Sequence, residues 1–449
     1  MSKKVYLENL GCAKNQVDAE VMLKLLSDRG WQHVLDASQA DLIIVNTCGF
    51  IEPARVESIN AFFSLKALNP KAKLILSGCL AQRYADQLEL PEADAIFGNR
   101  DLGRLNELLD EMEQDDGQVV LTPSYPDPDR EDDQRNELLN FKGSAYLKIS
   151  EGCDHRCAYC AIPIIRGPLR SRPAHRILDD ARFLIHDKGV KEIDIIAQDL
   201  AAYGQDMDGK SHFMELLDDL CKIEGNYRYR LLYIHPDAFP PELVAFVQSH
   251  RQVLPYFDIP IQHVAVPVLR SMGRTGDADT YLSLVNKIRS GLPDAVIRTT
   301  MMLGYPGETE DDFKQLLAFV KEARFDWLGC FVYSREENTK AYALVSAETQ
   351  KKNEKEAARR KKELESVQEA ITAELLEKKF VGNVYDVLIE EKIEGEDLSI
   401  GRIYSQAPEV DGATVVMGRD LLPGMLVKAG IRGVNGVDLD AAVLEQYNG

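Results

Sequence analysis

The stretch Glu151-Gly-Cys-Asp-His-Arg-Cys-Ala-Tyr-Cys-Ala-Ile-Pro163 sets Cys153, Cys157 and Cys160 in a C-x3-C-x2-C spacing. Iron–sulfur clusters are ordinarily held by four thiolates, so three leave one iron open to a small molecule. A structural zinc site would need a fourth ligand to close its tetrahedron. His155 lies inside the loop, where it would compete with its neighbours rather than complete such a site. Gly152, Asp154 and Arg156 mark a ligand loop and not a core strand.

This loop follows the strand-like run Tyr146–Ser150, and further such runs recur beyond it at Glu192–Ala197, Leu231–Ile234, Tyr256–Ile261, Val296–Met301 and Leu328–Val332. Amphipathic helical patterns such as Ile177–Lys188 and Asp311–Ala323 separate them, and Thr309 with Asp312 reads as a capping box. Six β/α units predict an open or partial barrel rather than a closed eightfold one. Reactive groups in such folds gather at the carboxyl ends of the strands. That places Gln198, Asp199, His235, Gln262, His263 and Gly304-Tyr-Pro-Gly-Glu308 near the cysteine loop, each equally readable as a turn or supporting residue.

Upstream, Lys4–Leu10, Asp41–Thr47, Lys73–Ser77 and Asp94–Phe97 read as strands alternating with helices such as Val17–Arg29 and Ala54–Leu68. This predicts a mostly parallel α/β sheet. Cys12, Cys48 and Cys79 each follow one of these strands, and in a parallel sheet such ends share one edge, where ligands bind. Gly11, Gly49 and Gly78 sit beside them and would let the backbone approach a bulky cofactor. Cys221 and Cys330 lack this context and read as core. Residues 110–135 hold ten acidic and two basic residues with three prolines, the composition of a solvated linker. Glu348–Lys379 reads as a long helix whose stripe Leu364, Val367, Ile371 and Leu375 packs back on the barrel. From Phe380 onward, short β-branched runs between turn glycines predict a small antiparallel barrel of OB-like type.

The chain has 449 residues and a net charge of −20, which argues against a large basic face for nucleic acid. No apolar run reaches membrane-spanning length and no signal-like segment opens the sequence, so a cytoplasmic protein is expected, with its eight cysteines as ligands or free thiols.

Three motifs carry a family resemblance: Asn9-Leu-Gly-Cys-Ala-Lys-Asn-Gln-Val-Asp-Ala-Glu20, Val45-Asn-Thr-Cys-Gly-Phe-Ile-Glu52, and the loop of Cys153 with Arg166-Gly-Pro-Leu-Arg-Ser-Arg-Pro173 following it. Together with the two cysteine groups, they resemble the methylthiotransferase family of radical SAM enzymes. The resemblance implies an N-terminal cluster domain over 1–113, an acidic linker over 114–141, a radical SAM core with its C-terminal helix over 142–379, and a TRAM domain over 380–449. It implies two 4Fe–4S clusters, one on Cys12, Cys48 and Cys79 and one on Cys153, Cys157 and Cys160, the latter binding S-adenosylmethionine (SAM). The Leu-Gly-Cys-x-Lys-Asn-x-Val-Asp pattern is similar to the branch that modifies an aspartate β-carbon of small-subunit ribosomal protein S-twelve. Ala19 departs from the Ser usual in that branch. The branch acting on tRNA adenosine is the alternative, and a non-catalytic metal-binding assembly factor a third reading. A low-potential electron donor such as flavodoxin is implied as a partner. From Phe380 onward, five basic residues face twelve acidic ones. An acidic module suits a basic ribosomal protein better than tRNA, so its removal is expected to weaken substrate binding more than SAM cleavage.

Overall fold

The computed structural model describes residues 3–114, 117–125 and 134–444. The chain forms two compact units. The first comprises Met1–Leu139 with Glu151–Asp154 and Cys160–Arg170, and the second Asn140–Ser150, His155–Tyr159 and Ser171–Gly449.

The first unit is built on a six-stranded, wholly parallel sheet. Its order is Gln32–His33, Lys4–Asn9, Leu42–Thr47, Lys73–Gly78, Ala95–Gly98 and Val119–Leu121. Leu42–Thr47 is buried at every position, as a strand covered on both faces must be. One apolar core, with Leu7, Met22, Ile44 and Leu108, covers one face, and another, with Ile43, Phe62, Leu74 and Leu80, covers the other. Registers pair Asn9 with Asn46, Asn46 with Ser77 and Gly78 with Gly98. The strands therefore end level, and the turns bearing Cys12, Cys48 and Cys79 leave from one edge.

The stretch with linker composition is partly structured. Val119–Leu121 adds the sixth strand, and Arg135 is buried with Nη1 2.7 Å from Glu20 Oε2. Both belong to the first unit; Pro126 and Pro128 lie outside the described residues.

The second unit contains a six-stranded parallel sheet in the order Trp327–Val332, Val296–Leu303, Val253–Asp258, Arg228–Leu231, Glu192–Ile196 and Ser144–Lys148. The third and fourth strands end about three residues before the sequence suggests. Leu232, Ile234, Ile259 and Ile261 stay buried after the ladder stops, so the apolar run outlasts the strand. Tyr233 (φ 70°) and Gln262 (φ 72°) turn the chain just beyond. The capping box of Thr309 and Asp312 opens the helix Glu310–Ala323. The long helix Ala347–Phe380 buries Ala357, Leu364, Ile371 and Leu376. Gln368 and Thr372 also face inward and donate to the Phe325 and Asp326 carbonyls at 2.7 and 2.8 Å.

Strands Val384–Lys392, Leu398–Arg402, Thr414–Met417, Leu426–Asn435 and Asp438–Val443 close a five-stranded barrel. This barrel is more than a peripheral dock, which changes the expectation for its removal. Arg402 reaches Glu192 Oε1 at 2.6 Å and Glu390 Oε1 at 2.7 Å, while Glu192 Oε2 pairs with Arg230 Nη2 at 3.0 Å. Asp411 accepts from the Tyr256 hydroxyl at 2.6 Å and faces Arg298 Nε at 3.3 Å. The Trp327 indole donates to the Ser405 carbonyl at 2.6 Å. Glu192 and Trp327 open their strands, so the small barrel covers the amino-terminal end of the sheet, away from the loops after the strands.

Asp194, wholly buried in this network, has its carboxyl pushed up to about 7 by burial and by Glu192, against the pull of Arg230 and Arg402. An acid raised above its unfolded value favours the native state while it holds its proton. That contribution fades as pH climbs from about 4 to about 7. Asp194→Asn is therefore expected to gain roughly 1–2 kcal/mol relative to the parent between about pH 5 and pH 8. Urea titrations at both pH values check this, and a pH-independent difference would refute it.

Candidate active site

At the strand edge of the first unit, the three cysteine turns pack directly on one another. A Cβ at Gly11 (φ +107°) would lie 3.1 Å from Cys48 Cβ, one at Gly49 2.6 Å from the Cys79 carbonyl oxygen, and one at Gly78 2.6 Å from the Thr47 carbonyl oxygen. Gly49 and Gly78 let backbone meet backbone, while the space at Gly11 is bounded by the side chains of Asn15 and Cys48. Cys12 is exposed, Cys48 half-buried and Cys79 buried. Asn99 Nδ2 donates to Cys79 Sγ at 3.2 Å, and Asn15 Oδ1 lies 3.2 Å from the same sulfur. Asn15 Nδ2 also bridges the carbonyls of Leu10 and Thr47 at 2.9 and 3.0 Å, tying two of the cysteine turns together. Burial pushes the Cys79 thiol up to about 12 and raises that of Cys48, with Arg166 opposing both. A metal would displace these protons on binding.

The C-x3-C-x2-C loop is divided between the units. In the first, Gly152 (φ +72°) admits no side chain, because a Cβ would fall 1.9 Å from the Pro168 carbonyl oxygen. Cys153 N donates to the Gly167 carbonyl at 3.2 Å, Asp154 Oδ1 accepts from Leu169 N at 3.1 Å, and Ile162 N points at Cys160 Sγ at 3.5 Å. In the second, Ala158 N donates to the Met272 carbonyl at 2.8 Å, and the Ala158 carbonyl accepts from Ala341 N at 2.8 Å. Buried Arg274 donates to the Pro260 carbonyl at 2.8 Å, and its charge acts on Tyr159 and Cys157. The loop is thus pinned on both flanks while its thiols stay half-exposed.

The other sequence candidates fall into two groups. Asp199 Oδ2 pairs with His155 Nε2 at 2.7 Å, its Oδ1 accepts from His235 N at 3.1 Å, and the two imidazoles stack at 4.3 Å. Burial, then Arg274 and His155, push His235 down to about 4. The side-chain oxygen and nitrogen of Gln198 are both buried without a hydrogen-bond partner. Gln198 and Asp199 stand beyond strand Glu192–Ile196, and His235 beyond Arg228–Leu231. His263, by contrast, is fully buried, accepts from Ala265 N at 3.0 Å and is pushed down to about 4 by burial. Glu308 is bound to Gly304 N and to Arg360 of the long helix, and a Cβ at Gly304 would strike Ala357 at 2.5 Å. Gly304 and Glu308 serve helix packing. Cys221 and Cys330 are buried, as expected of core thiols.

Three family models match this chain: an uncharacterized protein family, UPF0004, at residues 4–98, the Radical SAM superfamily at 147–320, and the TRAM domain at 381–444. A Treponema denticola protein named ribosomal protein uS12 methylthiotransferase RimO is 43% identical, with 97% of this chain and 99% of that protein aligned. A Clostridioides difficile protein of the same name is 42% identical over 98% of this chain and 99% of its own. The chain belongs to this RimO family. It is a radical SAM methylthiotransferase. The fold agrees with solved radical SAM structures: the methyltransferase TsrM from Kitasatospora setae, described with cobalamin and a [4Fe-4S] cluster, aligns with TM-score 0.54 at 14% identity. That alignment covers 76% of this chain and 77% of that one.

Among the described residues, no three His, Cys, Asp or Glu side chains converge to hold a single metal ion. The fit to a cluster rests instead on chemistry: soft thiolate donors, three at each place, with N–H groups already aimed at sulfur. Sequence reasoning misses the residues that supply and orient those groups, namely Asn15, Asp18, Asn99, Arg166 and Arg274. Isolated polar and charged residues look like surface until the fold buries them. Asn15, Asp18 and Arg166 do lie in the quoted motifs, but nothing in those motifs says that the fold buries these side chains together.

Proposed function

We propose that this enzyme methylthiolates the β-carbon of an aspartate in small-subunit ribosomal protein S-twelve. The observation that carries the reading is the extent of similarity, over nearly the whole chain, to proteins named for that activity. Cys153, Cys157 and Cys160 would hold one 4Fe–4S cluster, and Cys12, Cys48 and Cys79 a second. When bound, these groups supply reductive cleavage of SAM to a radical that takes the β-hydrogen, and the sulfur that replaces it, with a further SAM providing the methyl group. The protein's part is to hold and shield. Asp199 fixes His155 and His235 beside the loop, and the unpaired amide of Gln198 is free to bind SAM or the peptide. The apolar packing of Tyr305 and Tyr333 near Ala158 limits water where a radical would form. A low-potential donor of the flavodoxin type supplies electrons, and the setting is the cytoplasm; no helix among the described residues is long and apolar enough to cross a membrane.

An anaerobic assay tests the reading. The protein is reconstituted with iron and sulfide, given SAM and dithionite, and offered the ribosomal protein and tRNA separately. Mass spectrometry should find a methylthio group on one aspartate of the protein. A gain on tRNA adenosine alone would move the enzyme to the other branch. In the same assay Cys48→Ala is expected to keep part of the SAM cleavage, within about tenfold of the parent, and to lose all sulfur insertion. Methylthiolated product from that variant would refute the role of the first-unit cysteines.

A further inference from the structure

Arg166 lies six residues beyond Cys160, yet its side chain reaches the other cysteine group. Only 1% of the residue is exposed. Nη2 stands 2.6 Å from Asn15 Oδ1, 2.9 Å from Asp18 Oδ2 and 3.6 Å from Cys79 Sγ, and Nη1 stands 2.5 Å from Glu151 Oε2. Two carboxylates and an amide therefore fix the guanidinium with one edge facing sulfur. Such a device is costly to bury, since removing either side of a buried pair leaves a charge uncompensated. Packing gives no reason for it, because Ala161 and Ile165 already form the apolar contact with Cys79. Hydrogen bonds and positive charge at a cluster's sulfurs favour its more reduced, more negative state.

We propose that Arg166 is a positioning residue that raises the reduction potential of the cluster on Cys12, Cys48 and Cys79. The inference rests on those three cysteines holding a cluster. The segment that supplies Cys160 to one site thereby supplies the charge for the other.

The test uses the full chain with Cys153, Cys157 and Cys160 all changed to Ala, so that only the first-unit cluster loads. Iron and sulfide are measured per chain, and the cluster is titrated with dithionite against redox mediators, followed by EPR. Arg166→Lys keeps the charge without the planar fork. Arg166→Gln with Asp18→Asn removes the guanidinium and its contact with sulfur at constant net charge, along with one of the carboxylates it would orphan. The expected order of potential is parent highest, Lys variant lower, double variant lowest, with the double variant's cluster at least tenfold harder to reduce. Equal potentials in loaded variants would overturn the proposal. So would folded variants that take up no iron when the parent does, since Arg166 would then serve assembly. Circular dichroism establishes folding, and should the double variant unfold, the Lys variant decides alone. A parent without iron would instead refute the cluster assignment, leaving the two failures distinct.

Discussion

Cys157→Ala is expected to reduce SAM cleavage to the uncatalysed background, a loss of about a thousandfold or more. The loop offers three thiols, and the open iron that three ligands leave is where SAM must bind. Loss of one thiol leaves two. His155 is the nearest candidate to replace it, but its Nε2 is held by Asp199 at 2.7 Å and its ring is stacked on His235. Swinging it inward would break that contact and strip Asp199 of one partner. Arg274, buried beside Cys157, cannot ligate at all. Production of 5′-deoxyadenosine under dithionite measures the effect, with Cys330→Ala as the comparison. Cys330 is buried in strand Trp327–Val332, so its replacement should cost stability and leave cleavage within about threefold of the parent. Sustained cleavage by the Cys157 variant would mean that the ligands lie elsewhere.

Two kinds of signal make this architecture readable in the sequence. Doubly covered parallel strands write themselves as unbroken apolar runs, and Leu42–Thr47 is recognisable for that reason. Cysteines placed just after such strands inherit their alignment, which is why Cys12, Cys48 and Cys79 group together although 67 positions separate the first from the last. Periodicity fails where burial outlasts the ladder, as at Leu232 to Ile234, and where polar residues do the packing. Gln368 and Thr372 face inward because each caps a main-chain carbonyl, so the helix stripe expected through Val367 and Leu375 is displaced by one residue. The buried charges are least legible. Arg166 and Asp18 are 148 positions apart, and Arg402 and Glu192 are 210 apart. Asp18 and Arg166 stand in recognisable motifs, but their pairing with each other, like that of Arg402 with Glu192, has no local signature.

The last of these pairs leads to the second large effect. Arg402→Ala is expected to destabilise the second unit by about 3–5 kcal/mol. Glu192, Asp194 and Glu390 would then share only Arg230 in a space closed to water, and the carbonyl of Gln406, which Arg402 satisfies at 2.8 Å, would also lose its donor. Deleting Phe380–Gly449 goes further, because it also removes Asp411 from Arg298 and Tyr256 and exposes Trp327. The truncated chain should therefore lose SAM cleavage together with substrate binding, since the sheet that carries the cysteine loop loses the cover on its other end. Arg419→Ala provides the contrast. Arg419 pairs with Asp397 at 3.1 Å with both side chains mostly exposed, and its loss should fall within about 0.5 kcal/mol. Urea unfolding followed by circular dichroism separates the two arginines. A truncated chain that melts like the parent and still cleaves SAM would show that the small barrel is only an appendage. The same geometry revises the charge argument for this module. Arg402, Glu390 and Asp411 face inward, so they hold the fold and cannot attract a partner. The remaining exposed acids, among them Glu391, Glu394, Glu396 and Asp397, still outnumber the exposed basic residues. Any recognition of a basic protein must come from those residues, whose removal one at a time should weaken substrate binding and leave the melting curve in place.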